Sequence, residues 1–195
     1  MCFEDKLQAR RKGMIFKMKK PKLEHKMEEY ITYLINKFRP LCFNEKPVIL
    51  HSIRVANNLY ELGYDSKIVL GALLHDVVED SSITIENLRN DFDDATAKLV
   101  DSLTEDKSIN DKVLRNKNLI DKSVKYGFDS LIIKCADILD NSQYHCLIDP
   151  SNKELNDRLF KKYEYFLEKA ITIKDEPIYK MLEQETKTLK EEMGD

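Results

Sequence analysis

The 195-residue chain is poor in the residues that punctuate structure, with five glycines, five prolines and no tryptophan. So few breakers disfavour a many-turned β protein and favour long helices. None of its four cysteines, Cys2, Cys42, Cys135 and Cys146, falls in a CxxC pair. That spacing suggests neither a zinc ribbon nor a redox dithiol. Cys42 and Cys135 sit in apolar surroundings, as buried free thiols do. Such usage suits a reducing cytosol and hence a cytoplasmic protein. No apolar run approaches a membrane span and no signal peptide precedes the first periodic segment, so no membrane association is expected. A formal net charge of −3 argues against a general nucleic-acid binder. It leaves room for a local basic pocket that takes a phosphorylated small molecule. Arg10, Arg11, Lys12, Lys17, Lys19, Lys20 and Lys22 make the start basic, which reads as a solvated terminus or, less favoured, as a contact for nucleic acid or an anionic surface.

What the chain does have is helical periodicity and enough apolar residues, 42%, for the core of one ordinary domain. Apolar spacing predicts helices near 26–38, 48–62, 66–80, 85–92, 95–103, 111–125, 130–146, 151–171 and 178–193. Pro40, Gly63 and Gly127 supply stops, and Thr84 an N-cap. No strand alternation stands out. The expected fold is all-α, an orthogonal multi-helix bundle. Residues 1–25 form a basic N-terminal segment and 26–146 the domain proper. Residues 147–195 supply C-terminal helices that pack on the domain or extend it. Phe160, Tyr163 and Phe166 read as core or as a partner contact, not as a cofactor box. The last helix, with Ile178, Met181, Leu182 and Leu189 among many charges, packs back or supports a homodimer.

Three polar intrusions into apolar helices carry the chemistry. The segment from Ile68 to Leu74 is apolar nearly all round, then gives way to His75, Asp76, Glu79 and Asp80. On a continuous helix His75 stacks over Glu79 and Asp76 over Asp80. Three carboxylates packed together repel, and without a cation one of them takes a proton. Asp137 interrupts a second apolar run, with Asn141 one turn on, and His51 a third. A lone buried histidine or aspartate is costly but common once partnered. Three in the order His, His-Asp, Asp read as a divalent-metal site. Two imidazoles and two carboxylates admit Mn²⁺, Fe²⁺, Zn²⁺ or Ni²⁺, and the oxygen ligands lean toward Mn²⁺. Glu79 and Asp80 are then placed to orient water or move protons. Arg115 and Lys117 read as a solvated helix face or as a grip on pyrophosphate.

The order His51, His75-Asp76, Asp137 resembles the HD superfamily of metal phosphohydrolases. The longer string Ala72-Leu73-Leu74-His75-Asp76-Val77-Val78-Glu79-Asp80 resembles a narrower group. That group comprises the hydrolase domain of RelA/SpoT-type enzymes and their small stand-alone relatives, which remove pyrophosphate from the 3′ position of (p)ppGpp. Thr104-Glu105-Asp106-Lys107 and Lys134-Cys135-Ala136-Asp137 with Asn141 are similar to further motifs of these hydrolases. The resemblance covers about residues 26 to 146. It implies an HD-domain bundle in which His51, His75, Asp76 and Asp137 hold Mn²⁺ and Glu79 and Asp80 are catalytic. Lys134 and Asn141 would lie near the nucleotide. The chain departs from the group's pattern at Ser52, usually proline, at Ile138, often basic, and at Asp140, often histidine or tyrosine. An acid at 140 is unfavourable beside a polyphosphate, which keeps open a phosphatase acting on another nucleotide or cofactor phosphoester. A non-catalytic nucleotide sensor is a third reading, opposed by the intact ligand set and the Glu79-Asp80 pair.

Overall fold

The computed structural model describes residues 20–38, 47–143 and 152–193, all helix, turn or loop without a strand. The all-α expectation therefore holds among the described residues. Cys2, Cys42, Cys146, Pro40 and the cations at positions 10–19 lie outside them.

The first helix, α1 (Pro21–Phe38), begins earlier than the apolar periodicity suggests. Pro21 occupies its first position, where the missing N–H costs nothing, and Leu23 buries one turn ahead of the expected start. Helix α2 (Val48–Leu62) has the bounds read from sequence. Its end is a Schellman turn: Gly63, at φ 87°, donates to Tyr60 O while Tyr64 donates to Leu59 O. Next comes α3 (Ser66–Leu74), buried at every position from Ile68 onward. A Cβ on Gly71 would stand 2.7 Å from Leu99 Cδ2 and 3.1 Å from Ile133 Cδ1, so glycine lets the helix sit close to its neighbours.

The sequence predicts one helix through Asp80, but the structure divides it. His75 and Asp76 form a turn, and α4 (Val77–Asp80) starts afresh. Asp76 lies at φ −97°, ψ −1°, in the bridge region, and its carbonyl accepts from the N–H groups of Glu79 and Asp80. The turn re-aims the chain just where the polar residues begin.

Thr84 caps α5 (Ile85–Asp91) through a reciprocal box with Asn87. Asp93 caps α6 (Asp94–Leu103) and Asp111 caps α7 (Lys112–Tyr126). Helix α8 (Phe128–Ser142) is the second central element, buried from Ser130 through Asp140. Helix α9 (Lys153–Lys169), a short 3₁₀ turn (Ile171–Ile173) and α10 (Pro177–Met193) complete the described chain. Phe160, Tyr163 and Phe166 of α9 and Ile178 and Leu182 of α10 join one buried cluster with α2, α3 and α8. The Cys135 thiol is free and buried, and its Sγ contacts Ile178 O at 3.5 Å. No described helix is long and apolar enough to cross a membrane.

Candidate metal centre

His51 stands in the first turn of α2, His75 and Asp76 in the turn after α3, and Asp137 in the middle of α8. Helix packing brings them together. His51 Nε2 lies 3.1 Å from His75 Nε2, 3.2 Å from Asp137 Oδ1 and 3.5 Å from Asp76 Oδ2. His75 Nε2 lies 3.1 Å from Asp76 Oδ1 and 3.6 Å from Asp137 Oδ1. His51, His75 and Asp137 are buried, while Asp76 keeps its side chain 17% exposed on the open side.

These spacings suit an ion. Ligands bonded at about 2.1 Å stand roughly 3.0 Å apart around an octahedral centre and roughly 3.4 Å apart around a tetrahedral one. The hydrogen bonds on the far side of each ring agree. His75 Nδ1 donates to the Ala72 carbonyl at 2.8 Å, and His51 Nδ1 donates to Asp140 Oδ2 at 2.6 Å. In the neutral rings both Nε2 atoms are then acceptors, turned toward each other and toward two carboxylates. His51, His75 and Asp137 thus offer ligand atoms that all lie within 4.8 Å of one another, a group that could hold a metal ion, with an Asp76 oxygen 3.1 Å from His75 Nε2 at its open side.

The charges respond accordingly. Burial opposes a charge on His75, but Asp76 and Asp137 outweigh it and push the imidazole up to about 10. The proton thus goes to an imidazole rather than to a clustered aspartate, and a metal ion would displace it. Burial likewise opposes the charge on Asp137, yet Lys134, His51 and His75 hold its carboxyl well below the usual range. Lys134 Nζ donates to Asp137 Oδ2 at 2.8 Å, and Asn141 Nδ2 donates to Oδ1 at 2.5 Å. Glu79 is raised by burial and by neighbouring Asp76. Its Oε1 accepts from the Glu105 backbone N–H at 2.7 Å, which fixes the carboxyl in place.

A cleft of 430 Å³ opens beside the cluster. Asp76, Glu79, Asp80, Lys134, Asp137 and Asn141 all line it. Arg115 is not among the lining residues. Its Nε pairs with Glu105 Oε2 at 3.0 Å and its Nη1 donates to Ile109 O, so it braces the loop that holds Glu79. Lys117 sits over the Tyr165 ring at 5.2 Å. Sequence reasoning missed Lys162, a cleft-lining cation from α9. One lysine in a charged amphipathic helix carries no signal of which face meets the site. It also misjudged Asp140. That carboxylate does not line the cleft but turns to His51 and to Arg54, whose Nε and Nη2 donate to it at 2.7 Å each. Its pairing with those two groups outweighs burial and lowers its pKa.

Comparison with known proteins adds to this geometry. A family model described as "HD domain" matches residues 30–154. The guanosine-3′,5′-bis(diphosphate) 3′-pyrophosphohydrolase MESH1 of Danio rerio is 35% identical over 97 residues, 49% of this chain and 53% of that protein. An Aquifex aeolicus enzyme described by the same activity is 35% identical over 98 residues, 14% of its own length. The matches therefore span at most about half of these curated relatives. Among solved structures, a metazoan ortholog of SpoT, described as hydrolysing ppGpp, superimposes with a TM-score of 0.68. It is 26% identical, and the match covers 86% of this chain and 94% of that one.

Proposed function

Because this chain belongs to the HD domain family, we propose that it is a metal-dependent phosphohydrolase that removes pyrophosphate from the 3′ position of (p)ppGpp. One observation carries the reading: Asp76 and Asp137 line a cleft together with Glu79 and Asp80, and the buried His51 and His75 stand in contact with those two aspartates. The relatives named above support the choice of substrate.

In this reading His51, His75, Asp76 and Asp137 hold the ion, with Mn²⁺ favoured by the mixed nitrogen and oxygen set. When bound, a divalent ion supplies acidity to water and neutralises charge on the phosphate. Glu79 accepts the proton of the attacking water, since its raised pKa brings the carboxylate closer to the working range of a general base. Asp80 orients the water. The water oxygen bonds to phosphorus, the bond to the 3′ oxygen breaks, and that oxygen leaves with a proton. Lys134 and Asn141 are both fixed through Asp137, so they present donors to the phosphates without reorganising. Arg115 acts on substrate only if it leaves Glu105, and bracing the Glu79 loop is the role its contacts favour. A cytoplasmic setting belongs to the same reading and rests on the buried free thiol of Cys135.

The objection raised by Asp140 weakens, because that carboxylate is engaged by His51 and Arg54 rather than turned to a polyphosphate. The rival substrate class retains one support: five acids and two lysines line the cleft, an inhospitable balance for a highly charged ligand without its metal. A panel of phosphorylated metabolites, assayed with Mn²⁺-loaded protein, separates the two. Release of pyrophosphate from ppGpp well ahead of phosphate from nucleoside monophosphates is the expected result. The reverse order removes the substrate assignment.

A further inference from the structure

Asp140 stands where the hydrolases that this chain resembles often carry a histidine or tyrosine, and its surroundings give it a task. The carboxylate receives three hydrogen bonds from two residues of α2. His51 Nδ1 donates to Oδ2 at 2.6 Å, Arg54 Nε to Oδ1 at 2.7 Å, and Arg54 Nη2 to Oδ2 at 2.7 Å. His51 is fully buried and Asp140 is 6% exposed, so both groups have left water to make these contacts. Arg54 lies three residues beyond His51 on α2, and the fork reaches across to α8.

We infer that Asp140 and Arg54 form a positioning pair for His51, in which the carboxylate locks the ring with Nε2 toward the metal position and the guanidinium locks the carboxylate. The inference rests on the metal-centre reading above for its consequence, though not for its geometry. A carboxylate that accepts from Nδ1 fixes the tautomer and makes Nε2 a stronger donor to a metal. A bidentate arginine fixes the plane of the carboxylate in a way lysine does not. An amide fails here for a simple reason. Both carboxylate oxygens face donors, so an asparagine NH₂ meets either the Arg54 Nε–H or the Arg54 and His51 donors together. The rival account is a plain staple between α2 and α8, which holds helices together without touching ligand quality.

The test uses the whole chain carrying Asp140→Asn or Arg54→Met, with folding checked by circular dichroism. Mn²⁺ affinity is read by calorimetry, and the His51 tautomer by ¹⁵N imidazole spectra of metal-free protein. Asp140→Asn is expected to weaken Mn²⁺ binding by about ten- to a hundredfold and to reduce the Nδ1-protonated population of His51. Arg54→Met is expected to do the same to a smaller degree, because the carboxylate remains. Two folded variants with wild-type Mn²⁺ affinity and an unchanged tautomer would overturn the proposal and leave a staple. Should Asp140→Asn not fold, Arg54→Met decides alone by the same two readouts. A wild type that takes up no Mn²⁺, yet whose tautomer still depends on Asp140, supports the positioning pair and counts against the metal-dependent function instead.

Discussion

Helices α3 and α8 are equally central, yet they contribute to the site in opposite ways. Helix α3 is apolar through its buried length and gives up its functional residues only where it ends, in the His75-Asp76 turn. Helix α8 carries Lys134, Asp137 and Asp140 within its buried interior. Those three charges persist because each has a partner: Lys134 with Asp137, and Asp140 with His51 and Arg54. The proposed metal position therefore has one wall set by a helix interior and another set by a turn open to the cleft. A helix interior fixes its ligand through packing, while a turn aims its ligand through backbone geometry and can adjust.

The comparison breaks first under removal of ligands. His75→Ala and Asp76→Ala are expected to abolish metal uptake and hydrolysis alike, read by metal analysis and pyrophosphate release. Their effects on fold should differ from that of Asp137→Ala. The α8 substitution leaves the buried Lys134 ammonium without the carboxylate it hydrogen-bonds and should cost about 3–5 kcal/mol in denaturant unfolding. Asp76→Ala, on the partly exposed turn, removes one of the two carboxylates beside His75 and should cost clearly less than Asp137→Ala in the same measurement. If the two cost the same, the distinction between interior and turn is lost.

Next in size is an apolar control on α3. Leu73 is fully buried, and Leu73→Ala should cost about 2–5 kcal/mol in unfolding free energy while keeping the metal. A smaller effect follows pH. The folded pKa of His75 is raised from 6.5 to about 10 in the metal-free protein. The stability it contributes is fully present below pH 6.5 and is lost as pH rises toward 10. Bound metal replaces that proton, so the gain in melting temperature on adding Mn²⁺ should grow as pH rises across this window. A gain that shrinks instead contradicts the exchange of proton for metal. The smallest expected effect lies far from the site: Thr84→Ala removes the cap of α5 at about 1 kcal/mol, with turnover unchanged.

Much of this was legible in the sequence because the signals were local. Gly63 marked the end of α2, Thr84 the start of α5, and the run from Ile68 to Leu74 a buried helix. The four candidate ligands were visible as polar residues interrupting apolar runs, and the structure brings ligand atoms of His51, His75 and Asp137 within 4.8 Å of one another, with Asp76 3.1 Å from His75. The break at His75-Asp76 was not legible, since nothing in its composition is a helix breaker and the turn is held by tertiary surroundings. The orientation of Asp140 was not legible either, because its partners Arg54 and His51 lie 86 and 89 residues away. Lys162 reaches the cleft only through the packing of α9, which no local pattern encodes.

In the proposed reaction Glu79 handles the proton at a metal centre that cleaves the 3′ pyrophosphate of ppGpp. The most direct measurement compares wild type and Glu79→Gln, each analysed for bound Mn²⁺ and then assayed for pyrophosphate release from ppGpp. The account predicts equal metal content, rapid release by wild type and loss of most turnover in the variant. A Glu79→Gln protein that stays fully active, or a metal-loaded wild type that leaves ppGpp intact beside a working positive control, contradicts it.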